Sequence, residues 1–461
     1  MSRNLFHEYQ QHIRYLESLI DTQSTEKQLD QHKNAFQTHV GGSIPCWTES
    51  QQRMRHLLRS FDHPERAFKI IHLAGTSGKG STATMIHSIL NEFGITTGLY
   101  LSPHPTTTLE RVKIGSQYVA VETFIDVIHQ IRKKTNDWPR ESQPRYLEFL
   151  LLTALLCFRQ TQCEYVVLET SLGGTNDITN VCPSLIQIIT NIGYDHRGQL
   201  GHTLQEIAQH KIGIIKHGGY VFTAEKKTEI IALIKEKCHR NGAVLVMLNE
   251  SPIINTRNFH GSSFQYKGHQ YNLHVPGEKQ IENSLLALEV ARFLGVPESI
   301  RVTGLENVKL PCRLETVQTS PQVILDAAHN RDEILQLTHL LNTTPPWKIH
   351  LIFASVMSLN TKEMLQEIVP MSQHLYLTRF DNKFKKCYSP QYLLKIAKSY
   401  IKPHTRLQTS ENASVLLKNL LRSIKDDEII VATGSYFLTG SLRQHWYQEE
   451  KIVNQRTSFQ V

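Results

Sequence analysis

Short apolar runs alternate with stretches of helical periodicity along most of this chain, and that alternation predicts its architecture. Between residues 46 and 295, the runs 68–74, 165–168, 185–189, 220–222 and 243–246 read as strands, with helical patterns such as 228–239 between them. Apolar strands separated by helices imply a mostly parallel sheet covered on both faces. Residues 264–275 alternate instead and turn at Lys267-Gly268, which predicts a hairpin beside that sheet, followed by a helix over 280–293. After Pro311 the alternation restarts, with strands at 323–325, 349–353, 375–377 and 429–431 and helices at 389–400 and 413–424. A second, smaller α/β unit is therefore expected over 309–461, after a first one over 46–308. The first 45 residues are polar, with a helical pattern around 15–20 and Gln/His/Lys-rich sequence up to Gly41-Gly42, and read as a peripheral extension.

One loop turns this outline into chemistry. The run 68–74 leads into Gly75, Thr76, Ser77, Gly78, Lys79, Gly80 and Ser81. Glycines lack a Cβ, so such a turn can bring several backbone N–H groups up to phosphate oxygens. Lys79 adds a point charge. From Ser81 the chain reads as a helix with Met85/Ile89 and Ile86/Leu90/Phe93 on adjoining stripes and Gly94 as its stop, so the positive helix end faces the phosphates. Ser81 stands where a hydroxyl can reach Mg²⁺. The usual phosphate-loop pattern has a glycine five residues before Gly78, where this chain has Leu73, so the loop is a shortened variant. ATP and Mg²⁺ are the expected ligands of a P-loop-type ATPase domain with a mostly parallel sheet, and the second unit is expected to be Rossmann-like.

Composition narrows the partners. The chain has 461 residues, 40% of them hydrophobic, and a formal net charge of +8. That charge suits small polyanions. No dense Lys/Arg block with interleaved aromatics points to nucleic acid, and no apolar run approaches the ~20 residues that cross a bilayer. The N-terminus lacks a signal-peptide pattern, so a cytoplasmic protein is expected. None of the seven cysteines forms a C-x-x-C pair, which argues for buried thiols rather than a disulfide framework or a zinc site.

In doubly wound sheets, ligands sit at the carboxyl ends of strands. Glu169 directly follows the 165–168 run and precedes a glycine turn, and Asp195 and His196 follow the 185–192 run. A carboxylate can ligate Mg²⁺ directly, whereas imidazole acts more readily through water. Alone, Glu169 is equally compatible with bonding the glycine turn, and His196 with starting a helix. Lys211 ends a helix begun near Thr203; in isolation a lysine there is most often a surface charge.

Together these segments resemble the folylpolyglutamate synthase and dihydrofolate synthase family, within the Mur ligase superfamily. The resemblance runs from about Arg53 to Arg443. It rests on residues 72–81, 101–104 with Glu110-Arg111, 169–180, 191–196, 211–216, 277–283, 311–315, 325–330 and 432–438. It implies an ATP-dependent ligase that joins a pteroate or folate carboxylate to the amino group of L-glutamate through an acyl phosphate, acting as a monomer. It further implies that Lys79 contacts the phosphates and that Ser81, Ser102, Glu169 and His196 organise the metal sites. Lys211 matches a lysine that the superfamily carbamylates, which lets it support a second Mg²⁺. Gln280 and Asn283 would face the adenine, Arg313 the phosphates, Asp326 the ribose or that arginine, and His329 the incoming amino acid. The two domains must then close on each other for the site to assemble.

The departures from the family pattern cluster on the second domain and the substrate side. Lys279 stands for a histidine, Cys312 and Ala327 for glycines, Arg331 for a proline, Leu359-Asn-Thr-Lys362 for an Asp-Lys-Asp motif, and Glu49-Ser-Gln-Gln-Arg-Met54 for Gly-Leu-Glu-Arg. Two alternatives stay open: a paralogous ligase for another carboxylate and amine, and a nucleotide-binding regulatory protein without ligase activity. The joint presence of Lys79, Glu169, His196, Lys211, Arg313 and His329 argues against the latter.

Overall fold

The computed structural model describes residues 3–20, 45–342, 344–358, 360–383 and 385–459. The Gln/His/Lys-rich part of the N-terminal stretch and Leu359 lie outside these residues.

The larger sheet contains β1 (Lys69–Ala74), β2 (Thr97–Tyr100), β3 (Val112–Ile114), β4 (Gln117–Tyr118), β5 (Tyr165–Glu169), β6 (Ile186–Ile189), β7 (Tyr220–Thr223) and β8 (Val244–Met247) in the order β4-β3-β2-β5-β1-β6-β7-β8. The pairs from β2 to β8 are parallel, and β3 and β4 add an antiparallel edge. Both faces are buried, which explains the lack of polar alternation: Ile70 of β1 enters one hydrophobic layer, and Ile71 and Leu73 the other.

The hairpin read from the sequence has a third strand. β9 (Ile253–Asn258), β10 (Gly261–Tyr266) and β11 (His269–Leu273) make their own antiparallel sheet, separate from the larger one. Every residue of β9 is exposed, so it carries no apolar alternation to read. The second α/β unit holds β12 (Glu315–Thr319), β13 (Gln322–Leu325), β14 (Ile349–Phe353), β15 (His374–Leu377), β16 (Arg406–Thr409) and β17 (Ile429–Thr433), ordered β12-β13-β17-β14-β15-β16 and parallel except for β12. Of the two helices expected there, Ala413–Ser423 matches its expected span, whereas Pro390–Ala397 is shorter at its C-terminal end.

The expectation of a peripheral N-terminus fails for its first helix. Arg3–Ser18 places Tyr9 and Leu16 at zero exposure in the same core as Phe124, Phe149 and Leu155. Tyr9 also shares a 2.6 Å hydrogen bond with the Thr107 hydroxyl and accepts one from Leu109 N at 3.1 Å. The far end of the chain returns to the same place, because Ile452 and Val453 join that core. Beyond them, Tyr118 N donates to Arg456 O at 2.8 Å, the Tyr118 hydroxyl donates to Ser458 Oγ at 2.7 Å, and Ser458 bonds the Glu110 carboxylate. Five of the cysteines are buried and Cys387 is partly so; the Cys46 side chain lies outside the description. No helix among the described residues is long and apolar enough to cross a membrane.

Candidate active site

The loop after β1 is held so closely that Gly75 and Gly78 leave no room for a Cβ. The helix behind it runs Lys79–Glu92, two residues earlier than expected, with Gly78 at its N-cap in a left-handed conformation (φ 82°). A Cβ on Gly78 would stand 2.2 Å from Asn283 Oδ1, and one on Gly75 would stand 1.9 Å from Thr190 Oγ1. Asn191, just past β6, fixes the loop by receiving Thr76 N on its carbonyl and Ser77 N on its side chain, both at 2.9 Å. Thr76 Oγ1 donates to Gly193 O at 3.0 Å. Lys79 Nζ folds over the loop, donating to Gly75 O at 3.0 Å and Thr76 O at 3.3 Å. Gly75→Ala is therefore expected to displace the loop and weaken ATP binding by about 5- to 150-fold, since relieving an overpacked contact costs typically 1–3 kcal/mol. Nucleotide titration of the variant checks this, and wild-type affinity would contradict the packing argument.

Behind the loop lie two groups of polar side chains. Glu169 ends β5 and is buried against the first turn of the Lys79–Glu92 helix, the position of Ser81. It accepts from Ser102 N at 2.9 Å, and Ser102 and Ser171 share a hydroxyl pair at 3.0 Å. Burial pushes the Glu169 carboxyl up, against the cations of Lys79, Arg313 and Arg111. The neighbouring glycine turn is held by a different carboxylate. Asp177, which sequence reasoning missed, receives Ser171 N and Leu172 N on one oxygen and Thr179 N on the other, all at 2.9 Å. Glu169 is thus relieved of the structural duty that its position allowed.

The second group centres on Asp195, which the sequence marks by its place after β6 without giving it a role. Its oxygens lie 3.4 Å from His196 Nε2 and 4.0 Å from His329 Nε2, and accept from Asn360 Nδ2 at 3.2 Å. Burial alone would raise its pKa, yet His196, His329, Lys211 and Lys79 around it hold the carboxyl below the ordinary range. Lys211, at the end of a helix opened by a Thr203/Glu206 capping box, is 2% exposed and donates to Gly75 O at 2.6 Å. Burial, with Lys79 close by, takes its amine down to about 7. His329 Nδ1 lies 3.1 Å from both Ala327 O and Glu333 Oε2.

From the second unit, Arg313 lies over Tyr436 and 3.9 Å from Glu333. Its neighbours Cys312 (φ 56°) and Leu314 (φ 49°) are both left-handed. Cys312 thus occupies a conformation that glycine adopts freely and an L-residue only under local strain, whereas Ala327 is not left-handed. Asp326 brackets this turn by accepting from Leu314 N at 2.9 Å and Ala328 N at 3.1 Å, and burial raises it to about 6. Ser77, Gly78 and Ser81 line one cavity together with Gln280 and Asn283 of the Glu278–Phe293 helix and Arg313 and Asp326 of the second unit. Lys79, Lys211, His196 and His329 converge beside it around Asp195. The set fits a nucleoside triphosphate and a divalent cation: Gly75 and Gly78 leave no room for a Cβ, the helix end points at the loop, and Glu169 is a buried carboxylate amid cations.

The Mur ligase middle-domain model matches residues 73–291, and the dihydrofolate synthetase C-terminal-domain model matches residues 308–445. The chain is 28% identical over 409 residues to the dihydrofolate synthase/folylpolyglutamate synthase of Bacillus subtilis, covering 85% of this chain and 94% of that protein. It is 30% identical over 315 residues to a protein of the same description from Buchnera aphidicola, covering 67% and 73%. The crystal structure of a bifunctional folylpolyglutamate synthase/dihydrofolate synthase from Yersinia pestis, complexed with AMPPNP and Mn ion, superposes with a TM-score of 0.74 at 23% identity, covering 86% and 93%.

Proposed function

Since the chain belongs to the dihydrofolate synthase/folylpolyglutamate synthase family, we infer that it is an ATP-dependent ligase forming an amide between a pteroate or folate carboxylate and the amino group of L-glutamate. In this reading the acceptor carboxylate takes the γ-phosphoryl group of ATP and ADP leaves. The glutamate nitrogen then attacks the acyl carbon, phosphate departs, and the amide nitrogen gives up a proton. The observation that carries the reading is the cavity in which the β1 loop, the Glu278–Phe293 helix and the Arg313/Asp326 turn meet.

Catalysis of this kind consists of holding reactants in line and neutralising charge on phosphate oxygens. Gly75 to Ser81 cradle the phosphates, Lys79 and Arg313 neutralise them, and Gln280 and Asn283 receive the base. Asp326 holds the turn that carries Arg313. His329, fixed by Glu333, faces the amine side. Ser81, Ser102, Glu169, His196 and a carbamylated Lys211 are the residues to hold divalent cations, which when bound supply Lewis-acid charge neutralisation. Contacts already cross between the two units, Asn360 to Asp195 and Asn330 to Ser77 Oγ at 3.4 Å, which supports closure over a water-sensitive intermediate.

The test is phosphate release by the purified protein with ATP, Mg²⁺, glutamate and either dihydropteroate or tetrahydrofolate. Release that needs both the acid and glutamate, and that is lost in Lys79→Ala, is the expected result. ATP binding without release under any of these conditions would overturn the reading.

A further inference from the structure

On the side of the first unit where the Arg3–Ser18 helix crosses Val121–Thr135, three side chains converge that the ligase reading does not use. Glu8 and His12 lie one turn apart on one helix and His129 on the other, and one ligating atom of each falls within 4.8 Å of the others. The imidazoles of His12 and His129 lie 4.5 Å apart between centroids at 35°. His12 is 7% exposed, and its Nε2 is buried without a hydrogen-bond partner. Burying a polar nitrogen unpaired is unfavourable by roughly 1–3 kcal/mol, so a structure that retains one invites a ligand.

We propose that Glu8, His12 and His129 form a binding site for a divalent transition ion, Zn²⁺ by its chemistry, that staples the first helix to the body of the protein. Two imidazoles and one carboxylate are a borderline donor set that suits Zn²⁺ and disfavours Mg²⁺, which prefers oxygen alone. Donors round a tetrahedral ion at about 2.0–2.2 Å stand roughly 3.4 Å apart, so the three need to close by at most about 1.4 Å. Glu8 and His129 are accessible enough to make that adjustment, while His12 stays fixed in the helix contact. The guanidinium of Arg132 is engaged elsewhere, 4.0 Å above the Tyr15 ring. The scaffold is rigid where it needs to be, since Tyr9 packs on Phe124 in the core beneath. The same helix holds Thr107 and Leu109 through Tyr9, so an ion here would also steady the segment that leads from Ser102.

The experiment uses the full chain, stripped of metal with a chelator and titrated with Zn²⁺ in excess Mg²⁺. Co²⁺ absorption serves as a second probe of the ligand field. One equivalent of Zn²⁺ is expected to bind and to raise Tm. His129→Gln and Glu8→Gln should each weaken binding by more than about tenfold and remove most of the Tm rise. Because His129 is exposed, His129→Gln should leave the metal-free Tm unchanged, so misfolding is distinguishable from lost ligation. Absence of Zn²⁺ binding in the wild type, or wild-type affinity in both variants, would overturn the proposal; the second result would place the ion on other histidines.

Discussion

Lys211→Ala is expected to lower ATP-dependent phosphate release by about two to three orders of magnitude, the scale on which one preorganised electrostatic group acts. The lysine is almost wholly buried beside Lys79 and Asp195, and its amine titrates near 7. A lysine at its ordinary value would be an ammonium at every physiological pH and inert toward CO₂. Here the neutral amine is available, and its addition to CO₂ would form a carbamate with release of one proton. Below about pH 7 the group is protonated and cannot be carbamylated; above it the amine is free, so phosphate release should rise as pH passes through 7. Added bicarbonate should help most near that midpoint. Lys211→Arg keeps the positive charge and cannot form the carbamate, so it should fail like the alanine variant, whereas a small carboxylic acid should partly restore Lys211→Ala. Wild-type phosphate release by the Lys211→Arg variant would sink the carbamate role while leaving the ligase assignment standing.

The largest effect on stability is expected at Arg443. Its side chain is fully buried, and its guanidinium donates twice to Glu315, at 2.8 Å each, and to Ser458 O. It also lies 4.1 Å from the centre of the Tyr447 ring. Alanine would leave the Glu315 carboxylate buried without its partner, and breaking such a pair costs about 3–5 kcal/mol. The damage would not stay local. Glu315 Oε2 also accepts from Cys312 N at 2.8 Å, so it helps hold the left-handed turn beside Arg313. An unfolding free energy lowered by that amount in urea titration, together with weaker ATP binding, is the expected outcome. Double replacement with Glu315→Gln should lose less than the sum of the two single changes, because the stranded charge is then gone. A loss below about 1 kcal/mol would mean that water reaches the carboxylate and the pair is not truly buried.

What can be read from the chain, and what cannot, divides along physical lines. The phosphate loop is legible because its demands are local: glycines where no Cβ fits, a lysine, and a helix start, all in one short stretch. Strands such as β5 and β14 are legible because both faces are buried and their residues are largely apolar. β9 and β12 lie at sheet edges with exposed or half-exposed residues, and no pattern distinguishes such strands from loops. The Arg3–Ser18 helix does carry a signal. Phe6, Tyr9, Ile13 and Leu16 recur at helical spacing, but among so many polar neighbours the stripe reads as a surface feature. Asp177, Glu333 and Arg443 cannot be found locally, because a buried charge is recognisable only from the partner that folding brings to it. Cys312 is intermediate: the departure from glycine is visible in the sequence, and the left-handed backbone that gives it meaning is not.

The way both ends of the chain reach the 102–118 segment has a consequence for how the protein is born. Tyr9 precedes its partners Thr107 and Leu109 by about a hundred residues. Glu110 then waits for Ser458, 348 residues further on, which at ordinary elongation speeds is on the order of 17–70 s. Until then that segment has only one of its two clamps, and the strained turn at Cys312 lacks the arginine that braces it. The contacts that brace the 102–118 segment and the Cys312 turn are therefore complete only after Arg443 and Ser458 have been made.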